Sequence, residues 1–258
     1  MRIRLAVLAA LALWGVTGCG DDAAAPAAGE SGVTGGVTVF AAASLTESFT
    51  QIGKDFEAAN PGAKVTFNFA GSSQLATQIN EGAPADVFAA ASPSTMKTVT
   101  DASNGDGTPV TFVKNQLVIA VPKGNPDGVT GLADLTKPGV KVALCAEQVP
   151  CGAAARKALD TAGVTLTPVT LEQDVKAALS KVKLGEVDAA LVYRTDVKAS
   201  TSDVDGVEFP ESAGAVNDYP MVVLKDAPHK AAARAFVTYV QSDRGVAVLT
   251  AAGFQAPQ

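Results

Sequence analysis

Histidine and cysteine are scarce in this chain of 258 residues, which has one histidine and three cysteines. A structural zinc site usually needs four such ligands, and Cys145 and Cys151 with the distant His229 cannot supply them. A serine hydrolase needs a base beside its nucleophile, and no G-x-S-x-G motif accompanies the single histidine. The composition therefore argues against both a zinc protein and an enzyme of this class.

Basic residues are also in the minority, at 20 against 26 acidic residues, which gives a formal net charge of −6. An acidic surface does not suit binding to nucleic acid or electrostatic attachment to an anionic membrane. Beyond Gly18, no segment is apolar for long enough to span a bilayer. We expect no nucleic-acid partner and no transmembrane helix in the mature protein.

The N-terminus has the pattern of a lipoprotein signal peptide. Arg2 and Arg4 precede an apolar run over residues 5–16, which is shorter than the roughly twenty residues of a membrane-spanning helix. Small residues then precede Cys19, which we predict to be the lipidated N-terminus after residues 1–18 are removed. The alternative is an ordinary signal peptide with an incidental cysteine. Both alternatives predict export, and lipidation predicts anchoring in the periplasm or on the outer face of the cell membrane.

Residues 19–36 are rich in glycine, alanine and proline and are predicted to form a flexible tether. Lipidation of Cys19 would leave Cys145 and Cys151 as an even pair, and such a pair in an exported protein is expected to form a disulfide. This disulfide would close a short loop, so its main effect would be to fix local shape.

From residue 37 onward, short β-branched runs alternate with helical patterns, for example a predicted helix over residues 46–59. This alternation indicates an α/β fold with mostly parallel strands. We predict two α/β lobes with hinge segments between them. Lobe I would comprise residues 37–115 and 225–258, lobe II residues 122–218, and the hinge segments would lie near residues 116–121 and 219–224.

Hydroxyl residues follow two of the predicted strands, at the strand ends where α/β folds place their ligands. Ser44 and Ser72 should lie at or next to helix N-caps, where free backbone N–H groups bind anions. The alternative is that each serine only caps its helix. Cys151 and Val175 lie where two further helices should begin, and Tyr193 follows a strand over residues 188–192. Tyr193 would offer a phenolic donor or would pack as a half-buried tyrosine.

The motifs around these positions resemble those of the periplasmic molybdate-binding proteins of molybdate ABC transporters. The resemblance extends from about residue 37 to 253 and rests on six motifs in this order: AAASL at Ala41, FAGSS at Phe69, EGAPADVF at Glu81, QVPCG at Gln148, DVKAAL at Asp174 and ALVY at Ala190. It implies a type II periplasmic binding fold with the ligand in the cleft between the lobes.

The resemblance also implies which residues hold the oxyanion. The hydroxyls of Ser44, Ser72 and Tyr193 and the backbone N–H groups at Cys151 and Val175 would bind molybdate or tungstate. It implies no cofactor, no metal beyond that of the anion, and a monomer that delivers its ligand to an ABC permease and its ATPase. A sulfate- or thiosulfate-binding protein of the same fold is the main alternative. A ferric-ion binder would be expected to use paired tyrosines, and Tyr193, Tyr219 and Tyr239 are scattered along the chain.

Replacement of Cys19 tests the predicted anchor. Cys19→Ser should block lipidation, so the protein should leave the membrane fraction or accumulate with its signal peptide attached. Fractionation and mass spectrometry of the N-terminus measure both effects. A wild-type protein found wholly in the soluble fraction with an unmodified N-terminus would contradict the prediction.

Overall fold

The computed structural model describes residues 33–257, so Cys19, the predicted signal peptide and most of the predicted tether lie outside the described residues. The described chain contains two five-stranded sheets. The strands are β1 Thr34–Ala42, β2 Gly62–Ala70, β3 Val87–Ala89, β4 Val110–Asn115, β5 Leu117–Pro122, β6 Val142–Cys145, β7 Thr170–Glu172, β8 Ala189–Tyr193, β9 Val204–Val207 and β10 Asn217–Val223. The helices are α1 Thr46–Ala59, α2 Ser72–Asn80, α3 Pro93–Asp101, α4 Pro150–Ala162, α5 Val175–Lys183, α6 Arg194–Lys198, α7 Lys230–Val240 and α8 Asp243–Ala252.

The two sheets have the strand orders β2-β1-β3-β10-β4 and β7-β6-β8-β5-β9. We call the first sheet with its helices lobe I and the second sheet with its helices lobe II. The predicted α/β class is confirmed, and the strands are mostly parallel as predicted, because four of the five strands in each sheet share one direction. The exceptions are β10 and β5. In lobe I, β10 is antiparallel to both of its neighbours, and in lobe II so is β5.

The crossings between the lobes explain these two antiparallel strands. The chain passes from β4 to β5 through Gln116, and it returns to β10 through Val216. The parallel strands run toward the gap between the lobes, whereas β5 and β10 enter their sheets from that gap and run away from it. The segments predicted as hinges, 116–121 and 219–224, thus lie largely within β5 and β10, and the crossings immediately precede these strands.

Each lobe has its own hydrophobic core. The core of lobe I is rich in aromatic rings, and Phe49 and Phe56 of α1 both pack against Phe236 of α7. The buried residues of α1 recur every three or four positions, which is the spacing of one helix face. The core of lobe II consists mainly of alanine, valine and leucine from β5, β6, β8, α4 and α5.

The ends of the predicted elements agree with the structure in some places and differ in others. Helix α1 has the predicted bounds, whereas β1 begins at Thr34, so the last three residues of the predicted tether pair with β2. Backbone pairing needs no apolar side chain, which is why the glycines there gave no strand signal. No helix within residues 33–257 is long and apolar enough to cross a membrane.

Candidate functional site

A small cavity lies between the two lobes, where strands and helix N-termini from both meet. Its volume, counted as the space open to the centre of a water molecule, is about 20 Å³. One ordered water needs somewhat less space than this, so the cavity suits a small ion better than a sugar or a peptide. It is lined by Ala42, Ala43, Ser44, Gly71, Ser72, Ala91, Val149, Pro150, Cys151, Asp174, Val175 and Tyr193.

All five residues predicted to bind the ligand line this one cavity, and all five are buried. They come from both lobes and from distant parts of the sequence. Lobe I contributes the two serines, and lobe II contributes the other three. The five residues are Ser44, Ser72, Cys151, Val175 and Tyr193.

The two serines do not cap their helices. Ser44 lies in a 3₁₀ turn over Ala43–Leu45, and the N-cap of α1 is Leu45. Ser72 is the first residue of α2, whose N-cap is Gly71, and no side chain caps either helix. The purely structural capping role considered from the sequence is therefore not the role of either hydroxyl.

Ser72 and Tyr193 each accept a hydrogen bond and so keep a proton to donate. Ser72 Oγ accepts from the backbone N–H of Ala91 at 3.0 Å. The Tyr193 hydroxyl accepts from Asn217 Nδ2 at 2.9 Å. The same Nδ2 also donates to the carbonyl oxygen of Ala91 at 2.7 Å. Because a carbonyl can only accept, this last contact fixes the orientation of the Asn217 amide.

Ser44 is oriented through Tyr219. The Ser44 and Tyr219 hydroxyl oxygens are 2.8 Å apart. Asn115 Nδ2 lies 3.5 Å from the Tyr219 oxygen, and Asn115 Oδ1 accepts from the backbone N–H of Gln116. The end of the Asn115 side-chain amide that faces Tyr219 is therefore its NH₂ group, which donates. Either hydroxyl can donate in the Ser44–Tyr219 contact, and this contact holds the Ser44 hydroxyl at the edge of the cavity.

Burial keeps both tyrosines protonated. Desolvation raises the pKa of Tyr193 well above its ordinary value, and the neighbouring Tyr219 and Asp196 add to the shift. The pKa of Tyr219 is also raised, again mainly by desolvation. Both phenols are therefore hydrogen-bond donors at neutral pH.

Helix N-termini supply the remaining donors. Cys151 lies in the first turn of α4, and Val175 is the first residue of α5, positions where a helix has no carbonyl partner for its own N–H groups. Together with α2, three helices begin at the cavity, and their dipoles favour a negative charge there. Among the described residues that line the cavity, none is Lys or Arg, and the one charged side chain, Asp174, caps α5 by accepting from Ala177 N at 2.9 Å.

The predicted disulfide is present and shapes the start of α4. Cys145 at the end of β6 is bonded to Cys151, with their Cα atoms 5.7 Å apart. The enclosed loop is so tight that a Cβ atom at Gly152 would overlap the backbone of Ala146. The disulfide thus helps to fix the position of the Cys151 N–H beside the cavity.

A comparison with known proteins identifies the family of the chain. The chain matches the model of the family "Bacterial extracellular solute-binding protein" over residues 37–255. The chain belongs to this family. It is 44% identical over 254 residues to the molybdate-binding protein ModA of Mycobacterium tuberculosis, an alignment that covers 97% of each chain. The resemblance to the molybdate-binding family seen in the motifs is thereby confirmed.

Solved structures confirm the two-lobed periplasmic binding fold. The periplasmic molybdate-binding protein of Azotobacter vinelandii superposes with a TM-score of 0.75 at 21% identity, covering 86% of this chain and 100% of that one. The sulfate-binding protein SubI of Mycobacterium tuberculosis gives a TM-score of 0.73 at 18% identity, covering 86% of each chain. At such identities these likenesses concern the fold alone, and the fold does not separate the two anions.

Sequence reasoning missed the residues that orient the hydroxyls of this solute-binding protein. Asn115 ends β4 and Asn217 begins β10, and the two are paired in the lobe I sheet. Both are buried and polar, and each stands next to a crossing between the lobes. An asparagine at the end of an apolar strand is a weak signal, and only the pairing of β4 with β10 brings these two together.

Asp196 lies directly behind Tyr193 and is fully buried. Its Oδ2 accepts from the backbone N–H of Tyr193 at 3.1 Å, and its Oδ1 lies 3.1 Å from Lys176 Nζ. That second contact is an ion pair without hydrogen-bond geometry, since Oδ1 has no hydrogen-bond partner among the described residues. Desolvation raises the pKa of Asp196 to about 6 and outweighs the opposing effect of Lys176.

We predict that Asp196 changes the pH dependence of stability in a definite direction. Its pKa is higher in the folded state than in the unfolded chain. The folded state therefore binds the proton more tightly, and this contribution to stability grows as pH falls from 7 to 4. Asp196→Asn removes the titration and keeps an oxygen for Tyr193 N–H. The wild-type melting temperature minus that of the variant should therefore rise as pH falls from 7 to 4.

Asp134→Asn is the matched control, because hydrogen bonds from Lys137 and Thr130 hold the pKa of Asp134 below its ordinary value. The stabilising contribution of Asp134 is lost at low pH. The wild-type melting temperature minus that of Asp134→Asn should therefore fall as pH approaches 3.5. A constant difference for Asp196→Asn between pH 7 and 4 would show that burial does not raise the pKa of this carboxyl.

Proposed function

We propose that this protein binds molybdate in the cavity between its lobes and delivers it to an ABC importer. The observation that carries the proposal is the direction of the hydroxyl protons. Ser72 and Tyr193 each accept from an N–H group and so keep their own protons for a ligand, and the Ser44 hydroxyl, paired with Tyr219, lines the same cavity. A fully deprotonated oxyanion only accepts hydrogen bonds, so it fits a cavity surrounded by donors.

The relatives support molybdate over sulfate. The protein from Mycobacterium tuberculosis with 44% identity is a molybdate-binding protein, whereas the sulfate-binding structure shares 18% identity. Fixed donors discriminate between oxyanions by size, because a smaller ion cannot reach all of them at once and leaves some unpaired. Tungstate would bind by the same contacts, and no further metal or cofactor takes part in the proposal.

The site residues serve binding rather than catalysis in this proposal. A serine nucleophile needs an adjacent base. His229 does not line the cavity and lies at the start of α7, where its N–H donates to Asp86 at 2.8 Å. The carboxylate of Asp174 is already engaged as a helix cap.

Lobe closure around the anion is part of the proposed function. Ser73 Oγ of lobe I donates to the carbonyl oxygen of Gln148 in lobe II at 2.7 Å. Gly71 approaches the carbonyl of Gln173 so closely that a Cβ atom would overlap it. We propose that the lobes move about the crossings at Gln116 and Val216, next to the hinge segments predicted near residues 116–121 and 219–224.

Export and anchoring complete the proposal. Cleavage after Gly18 and lipidation of Cys19 would hold a monomer at the membrane surface. A tether of glycine, alanine and proline would let the two lobes reach the permease, whose ATPase drives import. The mature chain would keep 18 of its 20 basic residues and all 26 acidic residues, because the removed segment contains Arg2 and Arg4 and no acidic residue.

We predict that removing single donors weakens molybdate binding. Ser44→Ala, Ser72→Ala and Tyr193→Phe should each lower the affinity about 10- to 150-fold, since a hydrogen bond to a charged group contributes about 1.5–3 kcal/mol. Calorimetry with molybdate, tungstate, sulfate and phosphate measures the effect and the selectivity. The wild type should bind the first two anions much more tightly than the last two.

Tyr239→Phe serves as the control, because Tyr239 packs against Phe56 in lobe I, outside the cavity. This variant should keep wild-type affinity. Melting temperatures without ligand should fall by only a few degrees in the site variants and stay unchanged in Tyr239→Phe, which separates lost contacts from lost folding. Unchanged molybdate affinity in all three site variants would rule out this site, and a wild type that prefers sulfate would favour the alternative function.

A further inference from the structure

A half-buried lysine joins the two lobes behind the cavity. Lys176 Nζ lies 2.8 Å from each carboxylate oxygen of Glu47 and 3.1 Å from Asp196 Oδ1. Glu47 is on α1 of lobe I, whereas Lys176 and Asp196 are on α5 and α6 of lobe II. These three residues, which we call the Lys176 cluster, form an ion bridge between the lobes.

Each member of the Lys176 cluster is close in sequence to a residue of the proposed binding site. Glu47 follows Ser44 by three residues, Lys176 follows Val175 directly, and Asp196 follows Tyr193 by three. Asp196 also accepts from the backbone N–H of Tyr193. One ammonium group therefore connects the three chain segments that carry these site residues.

The charge of Lys176 is not directed at the cavity. Lys176 is not among the residues that line it, and its ammonium is shared by two carboxylates. The Lys176 cluster thus has a net negative charge and cannot attract an anion. The Lys176 cluster can therefore affect binding only by fixing the positions of the segments that carry Ser44, Val175 and Tyr193.

We propose that Lys176 is a positioning residue that couples anion binding to the contact between the lobes. The Glu47–Lys176 pair forms when the lobes meet, and it fixes the Ser44 turn of lobe I against the start of α5. The bound anion is then enclosed, and its release requires this pair to separate. This inference rests on the proposed function.

Glu47→Gln tests the bridge with the least disturbance. It weakens the contact between the lobes and leaves the Lys176–Asp196 pair intact within lobe II. Lys176→Met removes the bridge entirely, but it also leaves the buried Asp196 without its cation, so its folding must be checked by melting temperature. Lys181→Met is the matched control, because Lys181 lies on the same helix and pairs with Glu186 inside lobe II at 2.6 Å.

The measurements are the release rate of radiolabelled molybdate into excess unlabelled molybdate, the association rate, and the radius of gyration in saturating molybdate. The Glu47 side chain is 52% exposed, which weakens its ion pair. In Glu47→Gln, release should therefore be about 5- to 20-fold faster, the lower part of the usual range for coupling. The association rate should stay within about twofold of wild type. Lys176→Met should release molybdate at least as fast as Glu47→Gln does, and its radius of gyration in saturating molybdate should be larger than that of the wild type. Lys181→Met should match the wild type in both measurements.

Two results would overturn the inference, and they differ in meaning. If the wild type binds molybdate and Glu47→Gln and the folded Lys176→Met variant both release it at the wild-type rate, the Lys176 cluster does not couple closure to binding and the proposed function stands. If the wild type shows no molybdate binding by calorimetry, the proposed function fails, and the inference fails with it.

Discussion

The amide group of Asn217 is the contact on which the geometry of the cavity depends most. Asn217 is the first residue of β10, directly after the chain returns from lobe II. Its Nδ2 donates to Ala91 O in lobe I and to the Tyr193 hydroxyl in lobe II. Because Ala91 N also donates to Ser72, one short segment of lobe I fixes the hydroxyls of both lobes. Removing this amide would leave buried polar groups unpaired, which costs more than a surface hydrogen bond.

The cavity presents dipoles rather than cations, and this has consequences for an acidic protein. Long-range attraction cannot bring an anion to a surface of like charge, so affinity depends on short-range donors within a small, buried space. Hydroxyls and first-turn N–H groups are fixed in direction, whereas a flexible lysine could follow an anion of any size. Selectivity for one oxyanion is therefore easier to achieve with dipoles than with a mobile charge.

The sequence predicted the α/β class, the bounds of α1, and the five residues that the structure brings to one cavity. Local signals, namely a short strand, a small or hydroxyl residue and then a helix start, predicted the class and the helix, whereas the resemblance to the molybdate-binding family selected the five residues. The directions of β5 and β10 were not predictable in this way, because they follow from the points where the chain crosses between sheets. Asn115 and Asn217 were missed for the same reason, since their partners are distant in sequence.

The Lys176 cluster shows how a charged group can serve an anion site without contacting the ligand. A lysine inside the cavity would raise the affinity for every anion, sulfate and phosphate included. A lysine behind the cavity, neutralised by two carboxylates, contributes position instead of charge. The burial cost of Asp196 fits this arrangement, because a buried carboxylate holds the Tyr193 backbone and the ammonium in fixed places. The hydroxyl and backbone donors then discriminate between anions, while the ion pairs determine how firmly the lobes enclose the bound anion.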